Sequence, residues 1–479
     1  MSATAKRVVV VGGGIGGLAS AALLGRAGHQ VTLLEANDWL GGKSRRIELD
    51  GQRMDTGPAI VTFPGVWDEL LRRLDALGGV AAGDIAGLKL KRLPEVGRYY
   101  HRGESVPLPV PEGHPWHAAW KRFVGIHGGL GPEVTCLLTT DWYEARIRPA
   151  LWRLAKLYGV RPTTQGYLNG LGWLPEGLRE VIAIHTLNAG VSPARTPALY
   201  ASMPAIMATD GVWVPDGGVY EIPRALERLV RAAGVEVRTG EPVEKLEPGK
   251  VRTAAGVYSA DAVVSDLDPD RLVRLLGSDK RRSSGRLSCS GVVIYAPLHR
   301  APPAILPNHG VVLPSDPAAL YASLERGHEP AEAMAFVDYY PPGEPYPNER
   351  PVLALGLTAP ANGREYGLES GFVAREIERI SRVLGLPRPA TEYFAEHRVL
   401  HPRYFEERGS PGGALYGRVR PFWMSGPLHR PRYSERRRPW LWRVGASVHP
   451  GGGVPAVLGG AMNATGRLLR KLAKTGGNP

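Results

Sequence analysis

The chain has 479 residues, of which 43% are apolar and 22% are charged, and its formal charge at pH 7 is +13. This length is too great for one ordinary hydrophobic core and predicts two or three structural units, while the composition excludes a low-complexity chain. The positive charge suits either a solvated arginine-rich surface or contact with an anionic membrane surface. A basic helix interleaved with stacking aromatic residues is missing, so we expect no nucleic-acid partner.

The two cysteines, Cys136 and Cys289, cannot form a disulfide framework or a thiolate metal site, which favours a reduced, cytoplasmic setting. The N-terminal residues lack the pattern of a signal peptide, and no run of about 18 or more apolar residues is present. Any membrane contact is therefore expected to be peripheral, at the inner face of the cell membrane. No Ser-His-Asp arrangement or His cluster with metal-ligand spacing stands out, and we expect no metal.

The first predicted elements are a strand, a glycine-rich turn and a helix. Residues 8–11 are four valines, typical of a buried parallel strand. A G-x-G-x-x-G pattern follows at Gly12, Gly14 and Gly17. The Ala/Leu-rich run from Leu18 to Ala27 predicts a helix that Gly28 ends.

A second strand and an acidic residue complete this unit. Residues 30–34 predict a strand, and Glu35 stands at its end, 23 residues after Gly12. In this context the glycines, Gly16 included, let the backbone approach a pyrophosphate at the helix N-terminus. Glu35 is placed to accept hydrogen bonds from ribose hydroxyls. The segment therefore predicts a dinucleotide-binding βαβ unit rather than an ordinary turn.

The next residues carry a resemblance to a known family. Glu35 is followed by Gly41-Gly42-Lys43 and then by Asp55-Thr56-Gly57-Pro58. This order, E-x(5)-G-G-[RK] and then D-x-G-P, resembles the FAD-binding start of the amine-oxidase and carotenoid-desaturase superfamily. The resemblance implies contacts with FAD for Ala36, Gly42, Lys43, Gly57 and Pro58. Lys43 stands where the family usually has Arg, so it retains the charge without the bidentate fork.

The middle of the chain predicts a helix followed by strands. The helix runs to about Ala233 with Pro223 at its first position, and the strands lie at 235–238, 241–246, 251–253 and 262–265. We expect these strands to return to the first sheet. The segment is similar to the family's G-V-W-[YF]-P-x-G-G and VVS-x-x-DP blocks, which implies that the backbone of Val243 meets the adenine.

The block from Val444 to Pro455 resembles the G-A-x-x-H-P-G-x-G-[IV]-P signature of bacterial-type phytoene desaturases. The resemblance implies FAD contacts for Gly445, Ala446, Gly453 and Val454. It also implies that the glycines pass under the flavin ring, before a helix from about Ala456 whose N-terminus stabilises negative charge. Amine oxidases typically carry an acid where Ala446 stands, so the block favours the carotenoid branch.

We predict an α/β fold, in which a Rossmann-like FAD-binding domain of the two-dinucleotide-binding-domain flavoprotein type is interrupted by an α+β substrate domain. The FAD-binding domain is expected at 1–70, 205–285 and 426–479, and the substrate-binding, membrane-associating domain at 71–204 and 286–425. Five tryptophans of the latter are read as core, tunnel lining or membrane-facing residues: Trp116, Trp120, Trp142, Trp152 and Trp173.

The family implies a desaturase that removes a hydride from a C–H bond of an acyclic C40 carotenoid to flavin N5, with oxygen or a quinone as electron acceptor. Phytoene desaturation and 3,4-desaturation of a hydroxylated intermediate both stay open, with a lean to the later step. His185 matches the region facing the flavin, or is a satisfied core histidine; His449 lies near the flavin, or anchors the glycine loop.

Four other functions stay open. The same family includes carotenoid isomerases and ketolases, the superfamily includes amine oxidases, and non-enzymatic escorts of prenylated proteins share the fold.

Overall fold

The computed structural model describes residues 5–277, 285–421, 429 and 431–475. The described strands are β1 Arg7–Val11, β2 Gln30–Leu34, β3 Arg45–Leu49, β4 Gln52–Thr56, β5 Leu90–Arg92, β6 Gly97–His101, β7 Glu104–Leu108, β8 Trp213–Pro215, β9 Glu236–Arg238, β10 Val243–Glu247, β11 Lys250–Thr253, β12 Gly256–Ser259, β13 Ala262–Ser265, β14 Ser290–Pro297, β15 Gly310–Val312, β16 Ala335–Tyr340, β17 Val352–Ala359, β18 Arg398–Leu400, β19 Ser434–Glu435 and β20 Arg438–Arg443.

The described α-helices are α1 Ile15–Arg26, α2 Gly65–Asp75, α3 Ala82–Ala86, α4 His117–His127, α5 Gly131–Thr139, α6 Arg148–Tyr158, α7 Thr164–Asn169, α8 Glu176–Ala183, α9 Met203–Asp210, α10 Glu221–Ala232, α11 Pro269–Leu275, α12 Pro317–Glu325, α13 Gly371–Val383, α14 Pro402–Glu407 and α15 Val454–Thr475. Short 3₁₀ helices lie at Gly128–Leu130, Ala145–Ile147, Ile184–Ala189, Ala198–Ser202, Ala390–Tyr393 and Pro411–Gly413.

A six-stranded sheet carries the glycine-rich turn. Its strand order is β19-β20-β13-β1-β2-β9, and every pairing is parallel except that of β19 with β20. The four valines of β1 are buried on both faces, as their β-branched run predicts. Helix α1 packs between this sheet and helices α10 and α15. The carboxyl ends of the parallel strands therefore meet at the N-terminus of α1.

Several predicted elements differ from the observed ones. Strands β9 and β13 return to the first sheet as expected, but β10, β11 and β12 form a separate antiparallel sheet. Helix α10 begins at Glu221, so placing Pro223 at its first position was wrong. As the third residue, Pro223 still lies in the first turn, where its missing N–H costs no helical hydrogen bond. Helix α15 begins at Val454, two residues before the expected start.

A seven-stranded mixed sheet, ordered β18-β14-β17-β16-β15-β6-β7, forms the second layer. One face packs against helix α13 through buried residues such as Ile294, Leu355 and Ile380. Because side chains alternate along each strand, the residues adjacent in sequence to these point to the opposite face of the sheet. That face borders an internal cavity. The division into a cofactor domain and a substrate domain stays a prediction.

Candidate cofactor and substrate site

The glycine-rich turn between β1 and α1 leaves no room for side chains. Gly12 has a φ of +102° and donates its N–H to the Leu34 carbonyl at 2.8 Å. A Cβ on Gly14 would lie 2.4 Å from Oδ2 of Asp266, and a Cβ on Gly17 only 2.0 Å from the Gly12 oxygen. Backbone contact therefore holds position 17 to glycine, whereas a side chain at position 14 would displace the Asp266 carboxylate.

Gly16 has a different steric neighbour. A Cβ at Gly16 would lie 2.9 Å from the backbone nitrogen of Gly445. Its bare backbone therefore lets the first glycine turn meet the segment that follows β20.

Glu35 is buried at the carboxyl end of β2, beside this turn. Its Oε2 accepts the N–H of Gly13 at 2.7 Å, and its Oε1 accepts the N–H of Asn37 at 2.8 Å. Ala36 follows directly, and Val243 is buried in a cluster with Leu34. The residues expected to hold the adenosine half of FAD thus lie together near the carboxyl end of β2.

The second glycine pair forms the opposite wall of the groove. Gly41 donates its N–H to the Gly13 carbonyl at 2.8 Å, and a Cβ on Gly42 would lie 3.1 Å from Cα of Gly14. Lys43 donates from Nζ to the Leu415 carbonyl at 2.9 Å. Lys43 retains solvent exposure, but desolvation by the surrounding groove lowers the pKa of its ammonium, and the Asp268 and Asp266 carboxylates oppose this shift.

Asp266, directly after β13, lies inside the same groove and was missed in the sequence. The Gly17 N–H donates to its Oδ2 at 2.9 Å. Burial raises the pKa of this carboxyl to about 7; the Gly17 hydrogen bond and Lys43 oppose the rise, whereas Glu35 adds to it. Asp266 could have been found from its position directly after β13, because a strand parallel to β1 ends beside the glycine turn.

Two segments far apart in sequence meet at the inner end of the groove. Gly57 has a φ of +98°, and its N–H donates to the Tyr295 hydroxyl at 3.4 Å. Gly57 and Pro58 line the cavity together with Gly453 and Val454, at the start of α15. Gly445, with a φ of +95°, and Ala446 connect β20 to this turn.

These residues fit FAD. A Cβ at Gly14 or Gly445 would meet the Asp266 carboxylate, and one at Gly42 would lie 3.1 Å from Cα of Gly14, so glycine keeps the walls to bare backbone. The groove ends at the N-terminus of α1, which favours a phosphate. Lys43 adds a positive charge beside that end. The groove leads to the start of α15, which suits a long cofactor with a polar and a flat aromatic end.

The cavity beyond the groove has a volume of about 410 Å³. Helices α5 and α9 supply Val134, Leu138, Met203 and Met207 to its wall. The seven-stranded sheet supplies Tyr99, Val311, Phe336, Asp338, Tyr340, Val293, Tyr295, Ala354 and Gly356. Most of this lining is apolar, which suits a hydrophobic ligand.

His185 lines the cavity and is also satisfied as a core residue. Its Nδ1 lies 3.0 Å from the Val181 carbonyl, and its Nε2 lies 2.9 Å from the Tyr99 hydroxyl. This network assigns the proton to Nδ1, so Tyr99 donates to Nε2. Burial lowers the pKa of His185 to about 4, and the ring is neutral at neutral pH. Both ring nitrogens are occupied.

His449 is not among the described residues that line the cavity. Its ring is 5.1 Å from that of His429, and burial together with neighbouring cations lowers its pKa to about 3. Its carbonyl oxygen would lie 3.0 Å from a Cβ on Gly460 of α15. This placement suits the anchoring role better than acid-base chemistry, and either role stays a prediction.

A second polar pair, also missed in the sequence, lines the cavity. His309 Nδ1 lies 2.7 Å from Oδ1 of Asp338. The other cavity-lining carboxylate, Asp55, accepts a hydrogen bond from the Arg46 guanidinium at 2.8 Å. His309 meets Asp338 only because of the register between β15 and β16. The sequence of a short β-branched strand does not indicate which strand it pairs with, so this pair could not be predicted.

Comparison with known proteins places this site in a family. The model described as flavin containing amine oxidoreductase matches residues 173–419, and that of an NAD(P)-binding Rossmann-like domain matches residues 10–74. The chain belongs to the flavin containing amine oxidoreductase family. It is an FAD-dependent oxidoreductase, and the predicted α/β class with a Rossmann-like FAD-binding unit is confirmed.

Two curated relatives are similar over nearly the whole chain. A zeta-carotene-forming phytoene desaturase of Myxococcus xanthus is 29% identical, covering 98% of this chain and 95% of the relative. A hydroxyneurosporene desaturase of Rubrivivax gelatinosus is also 29% identical, covering 98% and 94%. Among solved structures, a putrescine oxidase variant has a TM-score of 0.63 at 15% identity, covering 98% of this chain and 99% of that one. That likeness concerns the fold alone.

Proposed function

We propose that this protein is an FAD-dependent carotenoid desaturase that introduces C=C bonds into an acyclic C40 carotenoid during carotenoid biosynthesis. The observation that carries the proposal is an apolar cavity that opens directly onto the FAD segments Gly57–Pro58 and Gly453–Val454. The two curated relatives, similar over almost their full length, are desaturases of such substrates by name.

In this proposal the chain binds and orients, and the cofactor supplies the redox chemistry. When bound, FAD would supply the hydride-acceptor chemistry, and the proton would leave from the neighbouring substrate carbon. The sheet face and the helices α5 and α9 enclose the polyene, exclude water and fix which bond lies against the cofactor. Gly42, Lys43 and Gly445 would hold the pyrophosphate, and Glu35 the ribose.

An amine oxidase is the first alternative, and the charges in the cavity argue against it. An ammonium substrate buried in a cavity needs an anionic partner that is not already paired. Both carboxylates among the described lining residues are already paired, Asp55 with Arg46 and Asp338 with His309. Isomerase or ketolase activity would use the same cavity and is distinguished by its product.

Within desaturation we favour 3,4-desaturation of a hydroxylated intermediate over the first step on phytoene. Overall sequence similarity does not distinguish the two reactions, because a relative named for each kind of substrate is 29% identical to this chain. The His309–Asp338 pair favours the hydroxylated substrate, since a pure hydrocarbon would leave the second imidazole nitrogen of His309 without a hydrogen-bond partner.

We also propose a peripheral position at the inner face of the cell membrane, with oxygen or a quinone as electron acceptor. No helix in the described ranges combines the length and apolarity needed to cross a bilayer. Helix α6 exposes Trp152 beside Lys156, whose Nζ lies 5.5 Å from the indole ring, and it packs on α5, whose inner side lines the cavity. An amphipathic ring beside basic residues suits an anionic lipid surface.

Expression in bacteria that accumulate phytoene, lycopene or a 1-hydroxylated acyclic carotenoid tests the proposal. We expect a pigment with a longer conjugated system in the last strain, resolved by chromatography and mass. Loss of two hydrogens distinguishes desaturation from isomerisation, and gain of oxygen marks a ketolase. An unchanged pigment in all three strains would contradict the desaturase.

A further inference from the structure

We infer that His309, oriented by Asp338, binds the hydroxyl group of the carotenoid, so that the cavity selects substrates bearing a free O–H. This inference rests on the proposed carotenoid substrate and adds to it a recognition site. It is carried by the geometry of a polar pair on a mostly apolar wall.

Strand register brings the pair together. In the antiparallel pairing of β15 with β16, Gly310 lies opposite Val337 and Val311 opposite Phe336. One further step in this register sets His309 opposite Asp338. Gly97 makes room for the imidazole, because a Cβ there would lie 3.1 Å from its Cδ2.

The pair faces the cavity rather than solvent. His309 and Asp338 are 8% and 9% exposed, and both line the cavity. Their surroundings include Phe336, whose ring stacks on His309 at 5.5 Å, and the aliphatic Val311. A ligand group that reaches the pair is therefore removed from water, and its hydrogen bonds to the pair are stronger than they would be in solvent.

The pair offers an acceptor and requires a donor. In the neutral imidazole that this inference requires, the Asp338 carboxylate accepts the Nδ1–H of His309, and the lone pair lies on Nε2. Within the part of the chain that the structure describes, Nε2 of His309 has no hydrogen-bond partner. A hydroxyl group can donate to this nitrogen, whereas a methyl ether, a ketone or a hydrocarbon cannot.

The neighbouring histidine, His185, cannot accept a hydrogen bond from the ligand hydroxyl. Val181 and Tyr99 occupy both of its ring nitrogens. The Tyr99 hydroxyl donates its O–H to His185 and has none to offer the ligand, whose single hydroxyl proton goes to His309 Nε2. The Tyr99 oxygen lies close to His309, since a Cβ on Gly97 would be 3.6 Å from it.

The test measures equilibrium binding to the FAD-loaded protein by carotenoid absorbance and quenching of protein fluorescence. Three ligands are compared: a 1-hydroxylated acyclic carotenoid, its O-methyl ether and the parent hydrocarbon. We expect the hydroxylated ligand to bind about 10–100-fold more tightly than the other two, since both leave a buried acceptor unpaired. Equal affinity for the hydroxylated ligand and its ether in the unmodified protein would overturn the inference.

Variants assign the effect to the pair. His309→Phe should abolish the preference, leaving hydrocarbon binding unchanged or tighter. Asp338→Asn should narrow the preference, because an amide N–H donated to Nδ1 moves the ring proton to Nε2. The exposed His328→Phe is the matched control and should retain the full preference. Thermal unfolding and flavin content identify a variant that does not fold, and a preference retained in both folded variants would refute the role of the pair.

Turnover of the same ligands separates this inference from the proposed function. If none of the carotenoids is desaturated, the desaturase proposal fails, while the binding preference still decides whether the hydroxyl site exists. If all three are desaturated without preference in binding, the function stands and the hydroxyl site fails.

Discussion

Asp266 gives the cofactor groove a pH response. Its pKa is raised to about 7 by burial, whereas an unfolded aspartate titrates near 4. The folded chain thus holds this proton more tightly than the unfolded chain. The resulting stability is full below about pH 4 and is lost as the pH rises through 7.

Asp266→Asn should therefore stabilise the FAD-free protein at pH 8 and not at pH 4. The gain should reach at most about 4 kcal/mol, and less where water in the cleft solvates the carboxylate. Urea unfolding at both pH values measures it, with the exposed Asp84→Asn as control. An equal effect of Asp266→Asn at pH 4 and pH 8 would count against a raised pKa.

Gly14 tests the placement of the cofactor. Gly14→Val brings side-chain atoms against Oδ2 of Asp266 and into the groove, so we expect folded but colourless protein. Visible flavin absorbance and thermal unfolding measure the two properties. Gly125→Val in α4, where a Cβ meets nothing within 4 Å, should stay yellow. A yellow Gly14→Val protein would refute this placement.

At the scale of elements, the middle strands of the seven-stranded sheet form the floor of the cavity. Ala354 and Gly356 of β17 are small, and they lie between larger residues of β14 and β16, such as Tyr295 and Phe336. Small residues at the centre of a sheet face make room for a ligand there.

Gly356→Phe should fill this space and abolish carotenoid binding while retaining flavin. A Cβ at Gly356 meets its nearest neighbour at 3.6 Å, an ordinary contact, so Gly356→Ala is the matched control and should bind normally. Carotenoid binding and flavin content decide the outcome. Normal carotenoid binding by Gly356→Phe would show that the ligand lies elsewhere.

Helices and strands with strong local sequence patterns could be predicted from the sequence. Which strands pair with each other could not. The valine run of β1 and the glycines after it indicate a buried strand and a tight turn wherever they occur. By contrast, β10 to β12 alternate as strands do, but nothing in their side chains excludes the first sheet. His309 stands among loop residues and gains a role only from its register with Asp338.

At the scale of the whole molecule, net charge and helix α6 bear on where the protein works. The chain carries +13, Trp152 of α6 is 69% exposed, and Val160 just beyond the helix is 96% exposed. Nearby Arg148 and Lys156 are exposed as well. Since α6 covers the outer side of the cavity wall, docking through it would hold the cavity near the lipid that dissolves the substrate.

The double variant Trp152→Ala, Val160→Asp should lower affinity for phosphatidylglycerol vesicles about tenfold, because an interfacial ring is lost and an anion is added. Vesicle co-sedimentation measures this, and added salt should weaken binding of the unmodified protein. Ile305→Asp, at a residue 98% exposed elsewhere, is the control. An equal loss with Ile305→Asp would argue against a defined docking face.

The pairing of β13 with β20 has a consequence for the order in which the molecule is made. Val263 lies beside Leu441 and Ser265 beside Arg443, so a strand synthesised early waits for one synthesised much later. During translation the open edge of β13 is exposed to other chains, which makes the nascent protein a candidate for chaperone protection. The FAD groove is among the last features to form, because Gly445 joins it only after β20 has paired.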